Sequence, residues 1–298
     1  MIEIDSKKKY ALALGYFDGL HTAHTAVLKE TLKLSGNGLL PAVMLFDEHP
    51  KKVLSGENVP FLLQKNRRDG IIDDMGIIRL NISFEKIKDM SPREFVEMLV
   101  NQNVGEAVCG YNYRFGRKAS GDVGTLRELC GEYGIGVTVC EKYLSEGEEV
   151  SSTVIRNAVA QGDMEKAERM LGFPFGFCSE VFSGDKRGRL LGAPTINQYL
   201  PEGIVIPRFG VYAAKVFFEG KEYIGVTNIG SRPTFDGRSV RSETYIIDYS
   251  GDLYGKSVET QLFSFLRAEK KFGSADALKE QIALDVKSTQ TFFEKSKK

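Results

Sequence analysis

The chain contains 298 residues, more than the ~100–200 residues of a typical domain, and this length predicts two domains. Its 40 Lys and Arg residues balance 40 Asp and Glu residues, which excludes the basic surplus expected of a protein that binds nucleic acid non-specifically. The sequence has no apolar run of the ~18 residues that a membrane helix needs, no signal-peptide pattern and no C-x-x-C pair, so we expect a cytoplasmic protein with reduced thiols. We expect it to bind small molecules and neither nucleic acid nor membranes. A transient homo-oligomer is compatible with the composition.

In the first half of the chain, short apolar runs alternate with helical patterns. In chain order, the predicted elements are strand Tyr10–Leu14, helix 22–34, strand 41–46, helix 63–75, a helix opened by the capping box Ser91-Pro92-Arg93-Glu94, strand 107–109, helix 122–133 and strand Gly136–Cys140. Repeated strand-then-helix units predict a parallel sheet with helices on both faces. In such sheets, ligands bind beyond the carboxyl ends of the strands, so the loops that follow these strands are the expected site.

After about residue 172 the pattern changes to short strands interrupted by glycine. The predicted strands span 177–182, 211–218, 223–226, 243–247 and 258–265, and Ser274 caps a final helix over 275–293. Consecutive short strands with turn signals predict an antiparallel barrel or a sandwich. The change of pattern puts the boundary near residues 172–176, and we divide the chain into domains 1–174 and 175–298.

All three histidines lie in the first 49 residues, and two of them, His21 and His24, follow the first strand at the start of a helix. Their spacing places both rings on one helical face. The free N–H groups and partial positive charge of a helix N-terminus attract anions. Two imidazoles at this point can bind phosphate oxygens and stabilise the charge on a phosphate group during its transfer. The alternatives are a structural pair, or a zinc site for which no nearby third ligand is obvious.

A loop after the strand that ends at Cys109 is a second candidate. Gly110 and Gly116 bracket Asn112, Arg114 and aromatic residues. Glycines on both sides of such a loop permit close approach of its backbone to a ligand. A plain loop packed by aromatic rings is the alternative.

A third candidate is a group of hydroxyls before a helix, at Ser151, Ser152 and Thr153. Such hydroxyls are ordinary helix caps. Arg156 lies one turn further on and can reach a phosphate that faces the same helix start. A simple capping role is the alternative.

In the second half, Gly188 and Gly192 bound a turn that leads to Thr195 and Asn197. Thr and Asn side-chain oxygens are hard ligands that Mg²⁺ accepts beside nucleotide phosphates, so these two residues are candidate metal ligands and Mg²⁺ is the expected cofactor. Glu243 opens an otherwise apolar strand, and an isolated carboxylate there suggests a general base. A Gly/Pro loop and a surface carboxylate at a strand end are the alternatives.

The segment 251–257 resembles a phosphate-binding Walker A loop. It has three residues between its glycines, however, where that motif needs four. It also lies between two strand-like runs rather than between a strand and a helix. We therefore interpret it as a hairpin turn.

The segment after the first strand reads Gly15-Tyr16-Phe17-Asp18-Gly19-Leu20-His21-Thr22-Ala23-His24. It resembles the G-x-F-D-G-x-H-x-G-H signature of the nucleotidylyltransferase superfamily, with Ala23 in place of the second glycine. With the loop 110–116 and the segment 151–156 in the same order, this half looks like the adenylyltransferase half of the bacterial bifunctional riboflavin kinase/FAD synthetase family. The resemblance implies a Rossmann-like domain with catalytic histidines. The nucleotide-binding residues that it implies are Gly15, Phe17, Asp18, Gly19, Gly110, Asn112, Arg114, Ser151, Ser152, Thr153 and Arg156.

The second half resembles riboflavin kinases. Segment 188–197 is similar to the motif G-R-x-L-G-F-P-T-A-N, with Ala193 in place of Phe and Ile196 in place of Ala. The other motifs follow in the family's order, as Gly210-Val211-Tyr212, 228–235, Glu243, Asp252-Leu253-Tyr254-Gly255 and Phe265-Leu266-Arg267. This resemblance implies an antiparallel β-barrel with a closing helix, nucleotide binding at Gly188 and Gly192, and Arg267 near bound flavin.

Over the whole chain, the resemblance implies an α/β plus β protein with two activities. The barrel would phosphorylate riboflavin from MgATP to give FMN, and the first domain would join AMP from ATP to FMN, giving FAD and pyrophosphate. ATP, riboflavin, FMN and FAD are the implied small-molecule partners. A flavin-binding protein with an inactive transferase half and a transferase with another acceptor are the open alternatives.

Overall fold

In the computed structural model, which describes residues 8–184, 194–234 and 237–295, the contacts divide the chain into two units. The first unit comprises Met1–Phe61 and Lys65–Ser152, and the second comprises Leu62–Gln64 and Thr153–Lys298. Each unit has its own sheet. The predicted division at residues 174 and 175 differs from this contact-based one, and the assignment of activities to domains stays a prediction.

The first unit is built on a five-stranded parallel sheet with the strand order β3-β2-β1-β4-β5. Its strands are β1 (Tyr10–Leu14), β2 (Leu40–Phe46), β3 (Ile78–Ile82), β4 (Val104–Gly110) and β5 (Gly136–Cys140). A two-stranded antiparallel hairpin follows, formed by β6 (Leu144–Ser145) and β7 (Glu148–Glu149). This order puts the first strand at the centre of the sheet, beside β4, and confirms the predicted Rossmann-like α/β architecture.

Helices cover both faces of this sheet. They are α1 (Thr22–Lys33), α2 (Pro50–Ser55), α3 (Lys65–Asp74), α4 (Phe84–Ile87), α5 (Pro92–Asn101) and α6 (Val123–Glu132). Leu12 and Leu14 share a core with residues of α5 and α6, whereas the alternate residue Ala13 is buried on the opposite face, and α1 contacts β1, β2 and β4. The predicted capping box is present, since the Ser91 N–H donates to Glu94 Oε2 at 2.7 Å and the Glu94 N–H donates to Ser91 Oγ at 3.3 Å.

The second unit is a closed antiparallel barrel with helices around it, as the family resemblance implied. The barrel order is β10-β11-β12-β9-β8-β13, and α9 contacts β10 and β11. The elements are α7 (Ser152–Gln161), α8 (Met164–Leu171), β8 (Gly176–Phe182), β9 (Thr195–Tyr199), β10 (Gly210–Phe218), β11 (Lys221–Thr234), β12 (Gly237–Ile246), β13 (Ser257–Arg267) and α9 (Ala275–Lys295).

A buried amide fixes β9 within the barrel. Gln198 is fully buried, and its Nε2 donates to the carbonyl oxygens of Ser179 at 2.9 Å and Val258 at 2.7 Å. Its Oε1 accepts a hydrogen bond from Thr260 Oγ1 at 2.8 Å. Successive side chains of a strand point to opposite faces, so Asn197 faces away from the interior in which Gln198 lies.

Two elements of the barrel correct the sequence-based reading. The segment 251–257 does connect two strands, β12 and β13, but it is not a hairpin, because β9 and β8 lie between those strands in the barrel. Strand β9 (Thr195–Tyr199) is absent from the predicted strands, because the sequence there was described only as a glycine-bounded turn leading to Thr195 and Asn197. Its buried residues Asn197 and Gln198 are polar, so the apolar alternation that marks a strand is missing there.

The four cysteines are free thiols, as predicted. Cys109 and Cys130 are buried in the first unit, and burial raises the pKa of the Cys109 thiol to about 12. In the part of the chain that the structure describes, no helix is both long enough and apolar enough to cross a membrane.

Candidate active sites

A cavity of about 490 Å³ opens in the first unit where the parallel strands end. Its walls include residues at the carboxyl ends of four strands, namely Leu14, Phe46, Gly110 and Cys140. This is the edge at which α/β sheets bind ligands. The predicted site residues that line it are Gly15, Phe17, His21, His24, Gly110, Asn112, Arg114, Ser151 and Ser152.

The backbone before α1 directs the first histidine into this cavity. Leu20 has a φ of 43°, a left-handed conformation that bulky residues rarely adopt and that costs roughly 1–2 kcal/mol. Burial of its side chain and a 3.0 Å hydrogen bond from Thr25 Oγ1 to its carbonyl oxygen hold it there. His21 follows as the N-cap of α1, and its Nδ1 accepts the His24 N–H at 3.2 Å. Because Nδ1 is an acceptor, the proton of a neutral His21 lies on Nε2, which can donate to a ligand.

The two histidine rings are stacked, with centroids 3.6 Å apart and planes inclined by 14°. The His24 Nδ1 is buried and has no hydrogen-bond partner among the described residues. Burial lowers the pKa of His24 to about 3, so this ring is neutral at physiological pH. Among the described residues no group of three or more His, Cys, Asp and Glu side chains could hold a metal ion, so the pair lacks the three protein ligands of a catalytic zinc site.

The neutral His24 ring, with its buried Nδ1, predicts a pH-dependent stability of the first unit. Between pH 6.5 and about 3 the unfolded chain protonates this ring and the folded chain does not, so the free energy of unfolding falls as the pH falls. The loss should reach about 1.6 kcal/mol between pH 6.5 and pH 5, because the slope rises from about half to nearly the full 1.4 kcal/mol per pH unit as the unfolded ring becomes protonated. Urea unfolding followed by circular dichroism should show a shallower pH dependence in His24→Gln than in the unchanged protein; equal slopes would contradict the prediction.

Two contacts stabilise the loop between β1 and α1. Asp18 is buried and accepts a hydrogen bond from Ser152 Oγ at 2.7 Å, so it connects this loop to the segment 151–152. Gly15 permits the Phe17 ring to pack closely, since a Cβ atom at Gly15 would lie 3.2 Å from that ring. Gly19 is buried in the same loop. Asp18 thus has a positioning role in addition to its predicted place near the nucleotide.

The remaining predicted residues of the adenylyltransferase motifs lie on α7. Thr153 is exposed, and Arg156 is half-buried one turn further along the helix. Both residues belong to the second unit. Their predicted contact with a nucleotide phosphate stays a prediction.

A hydrogen-bonded group that the sequence did not suggest connects the loop 110–116 to the hairpin of β6 and β7. Tyr111 donates its hydroxyl proton to Glu149 Oε1, and Lys142 Nζ lies 2.8 Å from Glu149 Oε2. Tyr111 and Glu149 both line the cavity. The group fixes the loop that carries Asn112 and Arg114. This group cannot be recognised from the sequence, because its three members lie in separate segments of the chain.

On the barrel, the strand register aligns the predicted kinase residues. Glu243 of β12 pairs with Asn197 of β9 on one side and with Asn228 of β11 on the other. Directly paired residues project from the same face of a sheet. This row continues through Val211 to Arg267, since Asn228 pairs with Val211 and Val211 with Arg267. The structure therefore brings a carboxylate between two amides, a cluster we call the barrel row (Asn197, Glu243 and Asn228).

The candidate metal ligands lie two residues apart on β9. Asn197 is buried, and the backbone packs so closely on it that a Cβ atom at Gly184 would lie 2.5 Å from its Nδ2. Thr195 lines a second cavity of about 290 Å³, together with Asp252, Leu253 and Tyr254 of the β12–β13 connection. Because alternate residues of a strand face one way, the side chains of Thr195 and Asn197 point to one side of β9. Gly188 and Gly192 lie outside the described residues.

Arg267 makes a bidentate ion pair with the final helix. Its Nε and Nη2 donate to the carboxylate of the buried Asp285 on α9 at 3.0 and 2.8 Å. Gln281 donates a further hydrogen bond to the same carboxylate at 3.0 Å. The geometry thus gives Arg267 a structural function at the junction of β13 and α9, and its predicted place near flavin stays a prediction.

The fold and these clusters are typical of a nucleotide-dependent transferase with one site in an α/β unit and another on a β-barrel. Two family models match the chain, FAD synthetase over residues 3–154 and riboflavin kinase over residues 171–293. The chain belongs to the family of bifunctional riboflavin kinase/FMN adenylyltransferases.

Two relatives carry the name of this family, and a crystal structure with a different title is similar over nearly the whole chain. A bifunctional riboflavin kinase/FMN adenylyltransferase of Listeria monocytogenes is 36% identical, with 95% of this chain and 92% of that protein aligned. The protein of the same name from Bacillus subtilis is 33% identical over 99% of this chain and 96% of its own length. A crystal structure described as a macrolide-efflux protein from Streptococcus pneumoniae superposes with a TM-score of 0.88 at 28% identity, covering 97% of this chain and 96% of that one.

Proposed function

We propose that this chain makes FAD from riboflavin in two steps, with FMN as the product of the first step and a substrate of the second. Riboflavin is phosphorylated by ATP on the barrel, in domain 175–298. FMN is adenylylated by a second ATP in domain 1–174, which releases pyrophosphate. The observation that carries the proposal is that each unit has its own family match and its own cluster of polar groups.

For adenylyl transfer, an oxygen of the FMN phosphate attacks the α-phosphorus of ATP and pyrophosphate leaves. His21 donates its Nε2 proton to a phosphate oxygen, because its Nδ1 is occupied by the His24 N–H. His24, kept neutral by burial, adds a donor without placing a positive charge against the stacked His21 ring. Arg114 and Asn112 at the cavity wall contribute positive charge and hydrogen bonds to the nucleotide. Such fixed donors stabilise charge that develops in the transition state.

For riboflavin phosphorylation, Glu243 accepts the proton of the flavin 5′-hydroxyl as that oxygen attacks the γ-phosphorus of ATP, and ADP leaves. When bound with ATP, Mg²⁺ would supply positive charge that offsets the charge of the phosphates. Thr195 and Asn197 would hold the ion through their side-chain oxygens. This donor set fits Mg²⁺, which usually keeps water and phosphate ligands and needs few protein oxygens, in agreement with the absence of a larger acidic cluster among the described residues.

Product analysis tests the proposal. The full chain, incubated with riboflavin, ATP and Mg²⁺, should form FMN and then FAD, resolved by chromatography. A fragment that begins at Thr153 should form FMN alone. It retains α8, whose buried Met164, Ala167 and Met170 face the barrel unit through contacts with β13.

Two outcomes would contradict the proposal. FMN without FAD from the full chain would indicate an inactive transferase half, and adenylylation of a compound other than FMN would indicate a different acceptor. A fragment from Cys178 serves as the control for folding, because it removes α8 together with the first two residues of β8 and leaves the apolar surface of β13 uncovered. It should therefore be less stable than the fragment from Thr153.

A further inference from the structure

An arginine stands next to the proposed general base on the same strand. Arg241 and Glu243 are two residues apart on β12, so their side chains project from the same face. The Arg241 Nη2 lies 3.0 Å from Glu243 Oε1. The arginine is the more deeply placed partner, with 12% of its side chain exposed against 28% for the glutamate.

Among the described residues, one nitrogen of the Arg241 guanidinium lacks the hydrogen-bond acceptor that a structural arginine usually has. Its Nε is buried and has no hydrogen-bond partner among the described residues. Buried donors in stable cores nearly always have an acceptor, because leaving one unpaired is costly. If this guanidinium had only a packing role, all its buried N–H groups would be expected to donate hydrogen bonds to protein acceptors. This one directs a charged donor at the Glu243 carboxylate.

Backbone pairing places a second carboxylate across the sheet from Arg241. Arg241 pairs across the sheet with Gly230 of β11, which has no side chain to compete for the space. The carboxylate of Glu269 occupies that position, since a Cβ atom at Gly230 would overlap its Oε1, and it accepts a 3.3 Å hydrogen bond from Asn228 Nδ2. Arg241 therefore has one carboxylate two residues along its own strand, that of Glu243, and a second, that of Glu269, beside the residue paired with it on β11.

We propose that Arg241 is a positioning residue for riboflavin phosphorylation, which fixes the orientation of the Glu243 carboxylate for proton transfer. The inference rests on the proposed role of Glu243 as the base. A partly exposed carboxylate on a barrel strand can rotate about its side-chain bonds, whereas a guanidinium contact restricts it to one orientation. A misplacement of about 1 Å at a reacting group can cost on the order of 100-fold in rate.

A double-mutant cycle tests this. In the full chain, Arg241→Gln should lower kinase kcat roughly 10- to 100-fold with little change in the KM for riboflavin, because it alters proton transfer rather than flavin binding. In a Glu243→Gln background, the same substitution should change the residual turnover less than about twofold, since there is no carboxylate left to orient. Arg241→Lys, which keeps the charge without the planar fork, should recover part of the loss.

The controls separate this role from a structural one. Lys215→Gln removes another cation of a barrel ion pair, 2.8 Å from Glu222, and should leave kinase kcat near normal. If Arg241→Gln fails to fold by thermal melting, Arg241→Lys carries the same cycle. Equal losses in both backgrounds, or an unchanged kcat, would overturn the positioning role of Arg241 without contradicting the proposed function. Near-normal turnover of Glu243→Gln would overturn the proposed base as well.

Discussion

Replacing Glu243 by glutamine should abolish most of the riboflavin phosphorylation while leaving FMN adenylylation intact. Glutamine keeps the shape of the side chain and its place in the barrel row but cannot accept the proton of the flavin hydroxyl. A positioned general base contributes typically 10²–10⁴-fold, so kcat should fall by about that factor. The measurement is the initial rate of FMN formation from riboflavin and MgATP, with the rate of FAD formation from supplied FMN as the internal control.

A neighbouring variant separates the loss of the base from a loss of nucleotide binding. Asn197→Ala removes a proposed ligand of the ATP-bound Mg²⁺ two strand positions from Thr195, so it should raise the KM for MgATP and the Mg²⁺ requirement. Glu243→Gln should leave both nearly unchanged. If Glu243→Gln phosphorylates riboflavin at close to the normal rate, Glu243 is a structural carboxylate at the strand surface.

Replacing His21 by alanine should lower FAD formation from FMN and ATP by roughly 10²- to 10³-fold, the scale expected for the loss of one preorganised donor. FMN formation from riboflavin should persist, because that reaction is assigned to the other unit. The substitution also removes the N-cap of α1, which costs about 1 kcal/mol. A fall in activity alone would therefore not distinguish a catalytic role from a structural one.

His21→Asn provides the matched control. Asparagine is a good N-cap and can still accept the His24 N–H, but it does not place a donor where the imidazole Nε2 lies. We expect His21→Asn to keep the thermal stability of the unchanged protein and to lose adenylylation as severely as His21→Ala. Recovery of near-normal FAD formation in His21→Asn would show that capping, and not donation to phosphate, is the function of His21.

Local pattern indicated four of the five parallel strands of the α/β half and missed β3 (Ile78–Ile82). Tyr10–Leu14 and Gly136–Cys140 were predicted with their observed bounds: the first is a continuous apolar run, as is usual for a buried parallel strand, and the second contains the β-branched residues that favour strands. The capping box at Ser91 is a signal confined to four residues. The location of the cavity followed from topology, since strands that run in parallel end at one edge. His21 and His24 were found because their spacing is a property of one helix.

The contacts among distant segments were decided by the tertiary structure. Nothing along the chain indicates that Asn228, Glu243 and Asn197 stand in one row, because register between strands depends on how the whole barrel closes. The polar strand β9 was missed for a related reason: Gln198 is stable in the interior because backbone carbonyls from two other strands accept its hydrogen bonds. An isolated sequence does not show such acceptors.

The sequence by itself therefore determined the two-part architecture, the family motifs and their order, all of which depend on residues close together in the chain. The tertiary structure decided that the 251–257 segment crosses past two strands, that α8 packs on the barrel, and that Arg241 faces Glu243 with a buried Nε that has no hydrogen-bond partner in the described part of the chain. The physical reason is that burial and hydrogen-bond satisfaction are properties of the assembled neighbourhood. A residue's type and its immediate neighbours limit what it can contact, and the closure of the barrel decides what it does contact.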